Sequence, residues 1–264
     1  MRLIIRYVRY VSFASGSSGN CGLLRGGGIS LLVDAGISLR RIRACLADEG
    51  MELGDLDGVL VTHEHSDHVS GLPMLSKYSD LPMYMSGGTA RALLRENKCR
   101  GENLFPLEAD TPLCLGELRI LGFETCHDAA QPFGYRVEGE KGSLALVTDL
   151  GYVSRSVREA VAGCSAAVVE ANYDLDLLRG GPYPLSLKRR IQGNYGHLEN
   201  STAAELCLFL AENGAERLML AHLSKENNTP RLALEAAVRV LGGDAALQVA
   251  PRDGRSEELE IRSC

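Results

Sequence analysis

Thr62-His-Glu-His-Ser-Asp-His68 says more about the fold than any other part of the sequence. It follows the apolar run Val59-Leu-Val61, so three imidazoles and a carboxylate are expected where a buried strand gives way to a loop. His63 and His65 are two residues apart, a spacing that directs both rings to the same side of an extended strand end. A divalent metal ion would hold these rings neutral, and the stretch therefore predicts a metal site rather than a solvated turn.

Three further candidate ligands stand where other predicted strands end. The apolar run 118–126 is followed by His127, the run 144–148 by Asp149, and the run 218–221 by His222. Each is weak evidence alone, but four strand ends that meet at one rim predict a common site. The candidate ligands are His63, His65, Asp67, His68, His127, Asp149 and His222. Seven nitrogen and oxygen ligands are too many for one tetrahedral ion, so we expect two divalent metal ions, which could be zinc, manganese or iron.

Strands and helices follow one another along the whole chain, without a repeat or a linker. Strands are predicted at 3–13, 21–25, 29–33, 58–61, 118–126, 133–137, 143–147, 166–169, 217–221 and 246–250, with the first at a sheet edge. Helices are predicted from Ser38 to Gly50, over 69–78, from a Thr202/Glu205 capping box to Gly214, and from Thr229-Pro230 to Gly242. This order predicts an α/β fold, with helices packed outside a sheet core, in a single domain spanning residues 1–264.

Composition limits the classes of partner. The 28 Lys and Arg against 34 Asp and Glu give a net charge of -6, so a nucleic-acid substrate would need a local basic patch. Five Phe, nine Tyr and no Trp leave few aromatic rings on which bases could stack, and we expect binding of such a substrate to be mainly electrostatic. There is no apolar run long enough for a membrane helix, and Arg2, Arg6 and Arg9 interrupt any secretory signal, which predicts a cytoplasmic protein without membrane contact.

The histidine-rich loop, the three later ligands and Val33-Asp-Ala-Gly36 resemble the motifs of the metallo-β-lactamase superfamily. The resemblance implies a four-layer αββα sandwich of two mixed sheets with helices outside. It also implies that His63, His65 and His127 hold one metal ion, that Asp67, His68 and His222 hold the other, and that Asp149 bridges them. Two such ions lower the pKa of a shared water towards 7, and the resulting hydroxide, oriented by Asp67, would be the nucleophile.

Segments outside the ligand set are similar to the WalJ (YycJ) family. They are Ala14-Ser-Gly-Ser-Ser-Gly-Asn-Cys21, Glu170-Ala-Asn-Tyr-Asp174, 181–191, Gly196-His-Leu-Glu-Asn200 and 221–230. This resemblance implies a metal-dependent nuclease with 5′-to-3′ exonuclease activity on DNA. Glu199 departs from the family pattern, because a small residue such as Ser is expected there.

Three sets of residues are candidates for substrate contact. Ser17, Ser18, Gly19 and Asn20 form either a loop that cradles a phosphate or an ordinary β-turn. Lys188 and Arg189, with Arg190, form a basic triplet that suits a phosphate backbone, although a solvated helix face gives the same pattern. By resemblance to nucleases of the superfamily, His197 has a catalytic role at the phosphate or the leaving group, and the alternative is a structural core histidine.

Two other functions remain open at this point. The same centre could serve a small-molecule hydrolase, such as a phosphodiesterase, a lactonase or a thioesterase-like enzyme. The fold could also belong to a non-hydrolytic metal-binding or regulatory protein, but a complete ligand set argues against that. Nucleic acid, and DNA in particular, is the expected partner.

Overall fold

Two facing β-sheets form the centre of the protein. The computed structural model describes residues 7–242 and 245–261, and within these ranges each sheet has seven strands, numbered here in chain order. From edge to edge the first sheet contains β14 (Leu259–Glu260), β1 (Arg9–Ala14), β2 (Cys21–Gly26), β3 (Ile29–Val33), β4 (Gly58–Leu60), β5 (Met83–Ser86) and β6 (Leu104–Leu107). The second contains β13 (Ala246–Val249), β12 (Arg217–Ala221), β11 (Ala166–Glu170), β10 (Gly142–Val147), β9 (Phe133–Gly139), β8 (Leu118–Glu124) and β7 (Leu113–Leu115).

Both sheets are mixed. In the first, β1, β2 and β3 pair antiparallel, whereas β3 to β6 pair parallel. In the second, β7 to β10 pair antiparallel, whereas β10 to β13 pair parallel. The parallel strands of each sheet therefore end at the same edge, which is where ligand-binding loops of such sheets usually lie.

Helices cover the outer faces of the two sheets. They are α1 (Leu39–Asp48), α2 (Ser66–Val69), α3 (Leu72–Tyr78), α4 (Gly87–Arg95), α5 (Arg155–Val161), α6 (Leu175–Gly180), α7 (Leu185–Gln192), α8 (Asn200–Glu212) and α9 (Pro230–Leu241). Among the described residues, no helix combines the length and the apolar character that crossing a membrane requires.

Three apolar cores lie between the four layers. Side chains alternate along β3, so that Leu31 and Val33 face the second sheet, whereas Leu32 faces the helices. The core between the sheets includes Tyr135, and Leu206 of α8 belongs to the outer core of the second sheet. Full burial of each such side chain contributes about 1.5–3 kcal/mol. The arrangement confirms the predicted αββα sandwich.

Two strand predictions match the structure residue for residue. The predicted strands 29–33 and 217–221 coincide with β3 and β12. The strands β5, β6 and β7 were not predicted, because three or four residues are too few to show alternation. The prediction of a first strand at a sheet edge is wrong, because β14 pairs with the outer side of β1. Residues 3–6 of that predicted strand lie outside the described ranges.

Two of the three helix starts predicted from a capping residue are confirmed. The side chains of Ser38 and Thr229 each accept a hydrogen bond from a backbone N–H in the first turn of the following helix. The capping box at Thr202 is wrong, because α8 already begins at Asn200. Its N-cap residue is Glu199, whose side chain makes no capping hydrogen bond.

The predicted helix over 69–78 is interrupted. The structure has α2 and α3 on either side of Gly71. A Cβ atom at Gly71 would lie 2.2 Å from the carbonyl oxygen of Ile37, so only glycine fits where these backbones meet. This close approach holds the start of α3 against the turn that follows β3.

Candidate metal centre

The candidate ligands follow the ends of strands in both sheets. His63 comes shortly after β4, and His65 is the N-cap residue of α2. His127 follows β8, Asp149 lies two residues beyond β10, and His222 comes directly after β12. Strands β10, β11 and β12 pair parallel, and β8 runs in the same direction as β10 because β9 lies antiparallel between them. Their ends therefore reach the same edge of the second sheet, and residues far apart in the sequence share a site.

The backbone turns sharply at three positions of this edge. Asp34, Asp149 and His222 have φ angles of 58°, 59° and 56°, in the left-handed region that residues other than glycine seldom adopt. Such a conformation costs on the order of 1 kcal/mol or more and is typical of functional sites. The surrounding contacts must offset this cost, and the three side chains all belong to the polar cluster described below.

Gly36 allows α2 to approach the turn after β3. A Cβ atom at Gly36 would lie 1.7 Å from the carbonyl oxygen of Asp67. The same carbonyl accepts the backbone N–H of Asn20 at 2.7 Å. The loop after β1, the turn after β3 and α2 are thus packed together, and Asp67 has a fixed position.

All seven candidate ligands come together. Nitrogen and oxygen atoms of His63, His65 and His127 lie within 4.8 Å of one another, and so do those of Asp67, His68 and His222. Asp149 joins both groups, because it meets the same criterion with His63 and His68, and again with Glu170, His197 and His222. The clusters combine imidazole and carboxylate groups, which suits a divalent metal ion.

Two buried atoms of the cluster have no hydrogen-bond partner. Within the described ranges, His63 Nε2 and Asp149 Oδ2 are both buried and make no hydrogen bond, and the nearest ion-pair contact of Asp149 Oδ2 is His68 Nε2 at 3.3 Å. Leaving a buried polar atom unsatisfied costs about 1–3 kcal/mol. A cation between the side chains would satisfy both atoms, so the donor set fits bound metal.

Hydrogen bonds fix which nitrogen of each ring is available. The Nδ1–H of His68 donates to Asp34 Oδ2 at 2.7 Å, and that of His222 donates to Glu170 Oε1 at 2.8 Å. The Nδ1–H of His127 donates to the carbonyl oxygen of Gly196 at 2.8 Å. Each contact leaves Nε2 free to bind a metal ion, and such partners orient metal ligands and raise their basicity.

The rings of the first group favour the neutral form. Burial, together with the adjacent His68 and His127, holds the pKa of His63 well below its ordinary value. Burial also lowers the pKa of His127, although Asp149 opposes the shift. Neutral imidazole is the form that binds metal ions.

The second group is a site of strong negative charge. Burial alone would lower the pKa of His68, but Asp149 and Asp34 raise it to about 9. Burial opposes a similar shift at His222, where Asp149 and Asp67 hold the pKa well above its ordinary value. These carboxylates therefore attract cations, and a divalent ion can take the place of the protons.

Sequence reasoning assigned no role to Asp34 and Glu170. Glu170 is fully buried, and its carboxylate accepts hydrogen bonds from Nδ1–H of both His197 and His222 at 2.8 Å. Burial opposes it, but His197 and His222 hold the pKa of Glu170 below its ordinary value. The signal that could have found Glu170 is its place at the end of an apolar strand, the same pattern that identified Asp149.

A cavity of about 360 Å³ opens beside the cluster. Asp67, Asp149, His197 and His222 line one part of it, and residues of α7 line another. His197 reaches this cavity with 21% of its side chain exposed. Because Glu170 accepts its Nδ1–H, Nε2 is the nitrogen of His197 left to meet a substrate.

The loop from Ser17 to Asn20 offers less to a phosphate than the sequence suggested. Ser17 lines the cavity, and Ser18 is exposed outside its lining. The backbone N–H groups of Gly19 and Asn20 already donate to Gly16 and Asp67. The Asn20 side chain lies 3.0 Å from His68 Nε2 and 3.3 Å from Asp67 Oδ2, so it contacts candidate ligands directly.

The three residues of the basic triplet differ in their contacts and in their position relative to the cavity. The Lys188 ammonium donates to the carbonyl oxygens of Arg179 and Gly181, both at 2.7 Å, and so ties α7 to the end of α6. Arg189 is exposed and does not line the cavity. Arg190 does line the cavity, whereas Lys188 and Arg189, the two predicted substrate contacts, do not, and their role in binding stays a prediction.

Comparisons with known proteins agree with this geometry. The family described as "Beta-lactamase superfamily domain" matches residues 30–223. The chain is 37% identical to "Exodeoxyribonuclease YycJ" of Bacillus anthracis over 80% of both chains, and 37% identical to "Exodeoxyribonuclease WalJ" of Streptococcus pneumoniae over 77% of both.

Solved structures share the fold at low sequence identity. The metallo-β-lactamase fold protein YhfI from Bacillus subtilis has a TM-score of 0.75 at 18% identity, covering 95% of this chain and 99% of its own. Zn(2+)-bound PqqB from Methylobacterium extorquens has a TM-score of 0.70 at 17% identity, covering 94% and 99%.

Proposed function

Because this chain belongs to the metallo-β-lactamase superfamily and is a metal-dependent hydrolase, we propose that it cleaves phosphodiester bonds of DNA as a 5′-to-3′ exonuclease. The observation that carries the proposal is the likeness, over most of the chain, to two proteins named exodeoxyribonuclease. The complete ligand cluster and the cavity beside it support the same activity.

The cluster would hold two divalent metal ions, and we take zinc, manganese and iron as candidates. His63, His65 and His127 would hold one ion, and Asp67, His68 and His222 the other, with Asp149 between them. When bound, such ions supply Lewis acidity and an activated water for attack on phosphorus. The ligands come from both sheets, which supports a single domain over residues 1–264.

Asp67 is the residue best placed to orient the attacking water. Its carboxylate lines the cavity, with Oδ2 lying 3.4 Å from His222 Nε2 and 3.3 Å from Asn20 Nδ2. Burial opposes ionisation, but the hydrogen bond to His222 and the charge of His68 hold the pKa of Asp67 below its ordinary value. An ionised carboxylate fixed in this way can accept a hydrogen bond from water.

His197 is the residue best placed to act on the leaving group. Glu170 holds its Nδ1–H at 2.8 Å, and the ring is part of the cavity wall. A protonated Nε2 can then donate to the oxygen that leaves phosphorus. Ser17, on the cavity wall formed by the loop after β1, would contact the substrate.

The test is cleavage of DNA beside cleavage of a small diester. Protein reconstituted with zinc, manganese or iron is incubated with a single-stranded, 5′-phosphorylated oligonucleotide and, separately, with bis(p-nitrophenyl) phosphate. We expect the wild type to degrade the oligonucleotide and Asp67→Ala to be inactive. Asp80→Ala should retain activity, because Asp80 is 90% exposed, pairs with Arg100 and does not line the cavity.

The alternative is a small-molecule hydrolase on the same centre. It would be favoured if every metal supported cleavage of the small diester while the oligonucleotide stayed intact. The absence of both activities in metal-loaded protein would contradict the hydrolytic role of the cavity residues.

A further inference from the structure

Two exposed tyrosines lie on the loops that carry Asp149 and His197, outside the lining of the cavity itself. The exposed fraction is 44% for Tyr152 and 64% for Tyr195. Tyr152 lies three residues beyond Asp149, and Tyr195 lies two residues before His197. Large aromatic rings exposed next to a reactive site are candidates for contact with a substrate.

The backbone around both tyrosines is fixed. The N–H of Gly151 donates to the carbonyl oxygen of Cys126 at 2.8 Å, and Cys126 is the residue directly before His127. A Cβ atom at Gly151 would lie 2.3 Å from the carbonyl carbon of Asn194, so the two tyrosine-bearing loops are in close contact. The backbone segments that carry the two rings are therefore held side by side.

Arg190 brings positive charge to the same rim. It is the one Lys or Arg among the described residues that line the cavity. Its Nε–H donates to Asp128 Oδ2 at 2.6 Å, and its side chain is 58% exposed. A guanidinium has five N–H donors, so most remain available to a phosphate.

Asp128 connects the cation to the aromatic residues. Its carboxylate holds Arg190, and its backbone N–H donates to the carbonyl oxygen of Tyr195 at 3.1 Å. Proteins bind unpaired nucleic acid by combining cations, which contact its phosphate backbone, with exposed aromatic rings, on which its bases stack.

We propose that Tyr195 and Tyr152 form a stacking platform for an unpaired base of the substrate, and that Arg190 binds a phosphate of the same strand. This inference rests on the proposed DNA function and adds base contacts to it. It adds to the expectation of a mainly electrostatic interaction, because the number of aromatic residues does not reveal how many lie near the site.

The platform is tested with substrates that lack a base. Steady-state kinetics are measured on a single-stranded, 5′-phosphorylated oligonucleotide and on matched oligonucleotides with an abasic residue at the first or the second position. Wild type is compared with Tyr195→Ala, Tyr195→Phe and Tyr152→Ala. Tyr78→Ala is the control, because Tyr78 is 55% exposed on α3 and lies in a different part of the surface, with Arg43 and Asp80.

We expect Tyr195→Ala to raise KM for the intact oligonucleotide roughly 5- to 100-fold, with kcat little changed, because stacking on an aromatic ring is lost. Tyr195→Phe should restore the wild-type KM, since a phenyl ring also stacks. One abasic substrate should have a raised KM with the wild type and no further rise with Tyr195→Ala, because the residue and the base then form one interaction.

Loss of the proposed phosphate contact at Arg190 should change the kinetics in a different way from loss of a tyrosine ring. Arg190→Ala should raise KM for intact and abasic substrates alike and lower the slope of log KM against log salt by about 1. Arg231→Ala, which removes an exposed arginine of α9 that does not line the cavity, should leave both unchanged.

The outcomes separate the two proposals. If the wild type digests the oligonucleotide but Tyr195→Ala and Tyr152→Ala keep its KM, the platform is rejected and the exonuclease function stands. Equal effects of Tyr195→Ala on intact and abasic substrates also reject the platform. If the wild type digests no oligonucleotide, both proposals fail.

Discussion

Asp34 Oδ2 accepts a hydrogen bond of 2.7 Å from Nδ1–H of His68, and both side chains are buried. Thr62 holds the same carboxylate through its backbone N–H at 2.8 Å and through its hydroxyl. Asp34 thus fixes the ring of His68 with Nε2 directed at the metal cluster, 3.3 Å from Asp149 Oδ2.

Asp34→Asn should weaken metal binding. The variant keeps the shape of the side chain but loses the negative charge that orients and polarises His68, and loss of such a partner typically costs 10- to 100-fold in affinity. Competition with a chromogenic chelator measures the dissociation constants. Asp253→Asn, at an exposed carboxylate, is the matched control. An unchanged affinity for both ions would contradict the role of Asp34.

Glu170→Gln should disturb two histidines at once. Besides His197 and His222, the Glu170 carboxylate accepts backbone N–H groups of Leu150 and Leu198. An amide has one acceptor oxygen and places an NH2 group against a donor, so the free energy of unfolding should fall by about 1–3 kcal/mol. Denaturant unfolding measures this loss, and metal affinity should fall with it. Wild-type values for both quantities would show that the carboxylate is not needed.

Removal of metal should destabilise the fold. His63 Nε2 and Asp149 Oδ2 are unsatisfied without a cation, and a ligand at 100 times its dissociation constant stabilises a protein by about 2.7 kcal/mol. Thermal unfolding of chelator-treated protein should therefore shift upward when zinc or manganese is added. The shift should shrink at lower pH, because protons compete for the histidines. A Tm that does not change when metal is added would argue against the cluster as a metal site.

Glu199→Ser should stabilise α8. Glu199 is its N-cap residue and makes no capping hydrogen bond, whereas Ser accepts one from the first turn and adds about 0.5–1 kcal/mol. Glu205→Ser, at an exposed position inside the same helix, should be slightly destabilising, because Ser is the poorer helix former there. If denaturant unfolding shows that both substitutions change the free energy of unfolding equally, the missing N-cap hydrogen bond does not limit the stability of α8.

The clustering of the candidate ligands could be predicted from the sequence for a physical reason. His63, Asp149 and His222 each follow a buried strand, and parallel pairing brings such ends together whatever their separation in the chain. Asp34 and Glu170 were not predicted because they contact the far side of the ligand rings. Which carboxylate lies behind which ring depends on packing that no local pattern encodes.

The residues around the cavity were harder to predict. Consecutive residues of a helix point about 100° apart, so Lys188, Arg189 and Arg190 cannot all face the cavity. The sequence does not say which of them does, because that depends on how α7 packs. Loop residues such as Tyr195 gave no signal, since their exposure depends on how the chain folds.

The most direct test of the proposed function is the polarity of digestion. Metal-loaded protein is incubated with one single-stranded oligonucleotide labelled at its 5′ phosphate and with a second labelled at its 3′ end. A 5′-to-3′ exonuclease releases the 5′ label early as a mononucleotide, while the 3′ label stays on products that shorten step by step, and Asp67→Ala does neither. Early release of the 3′ label, or internal cuts that give discrete fragments from both substrates, would contradict the proposed function.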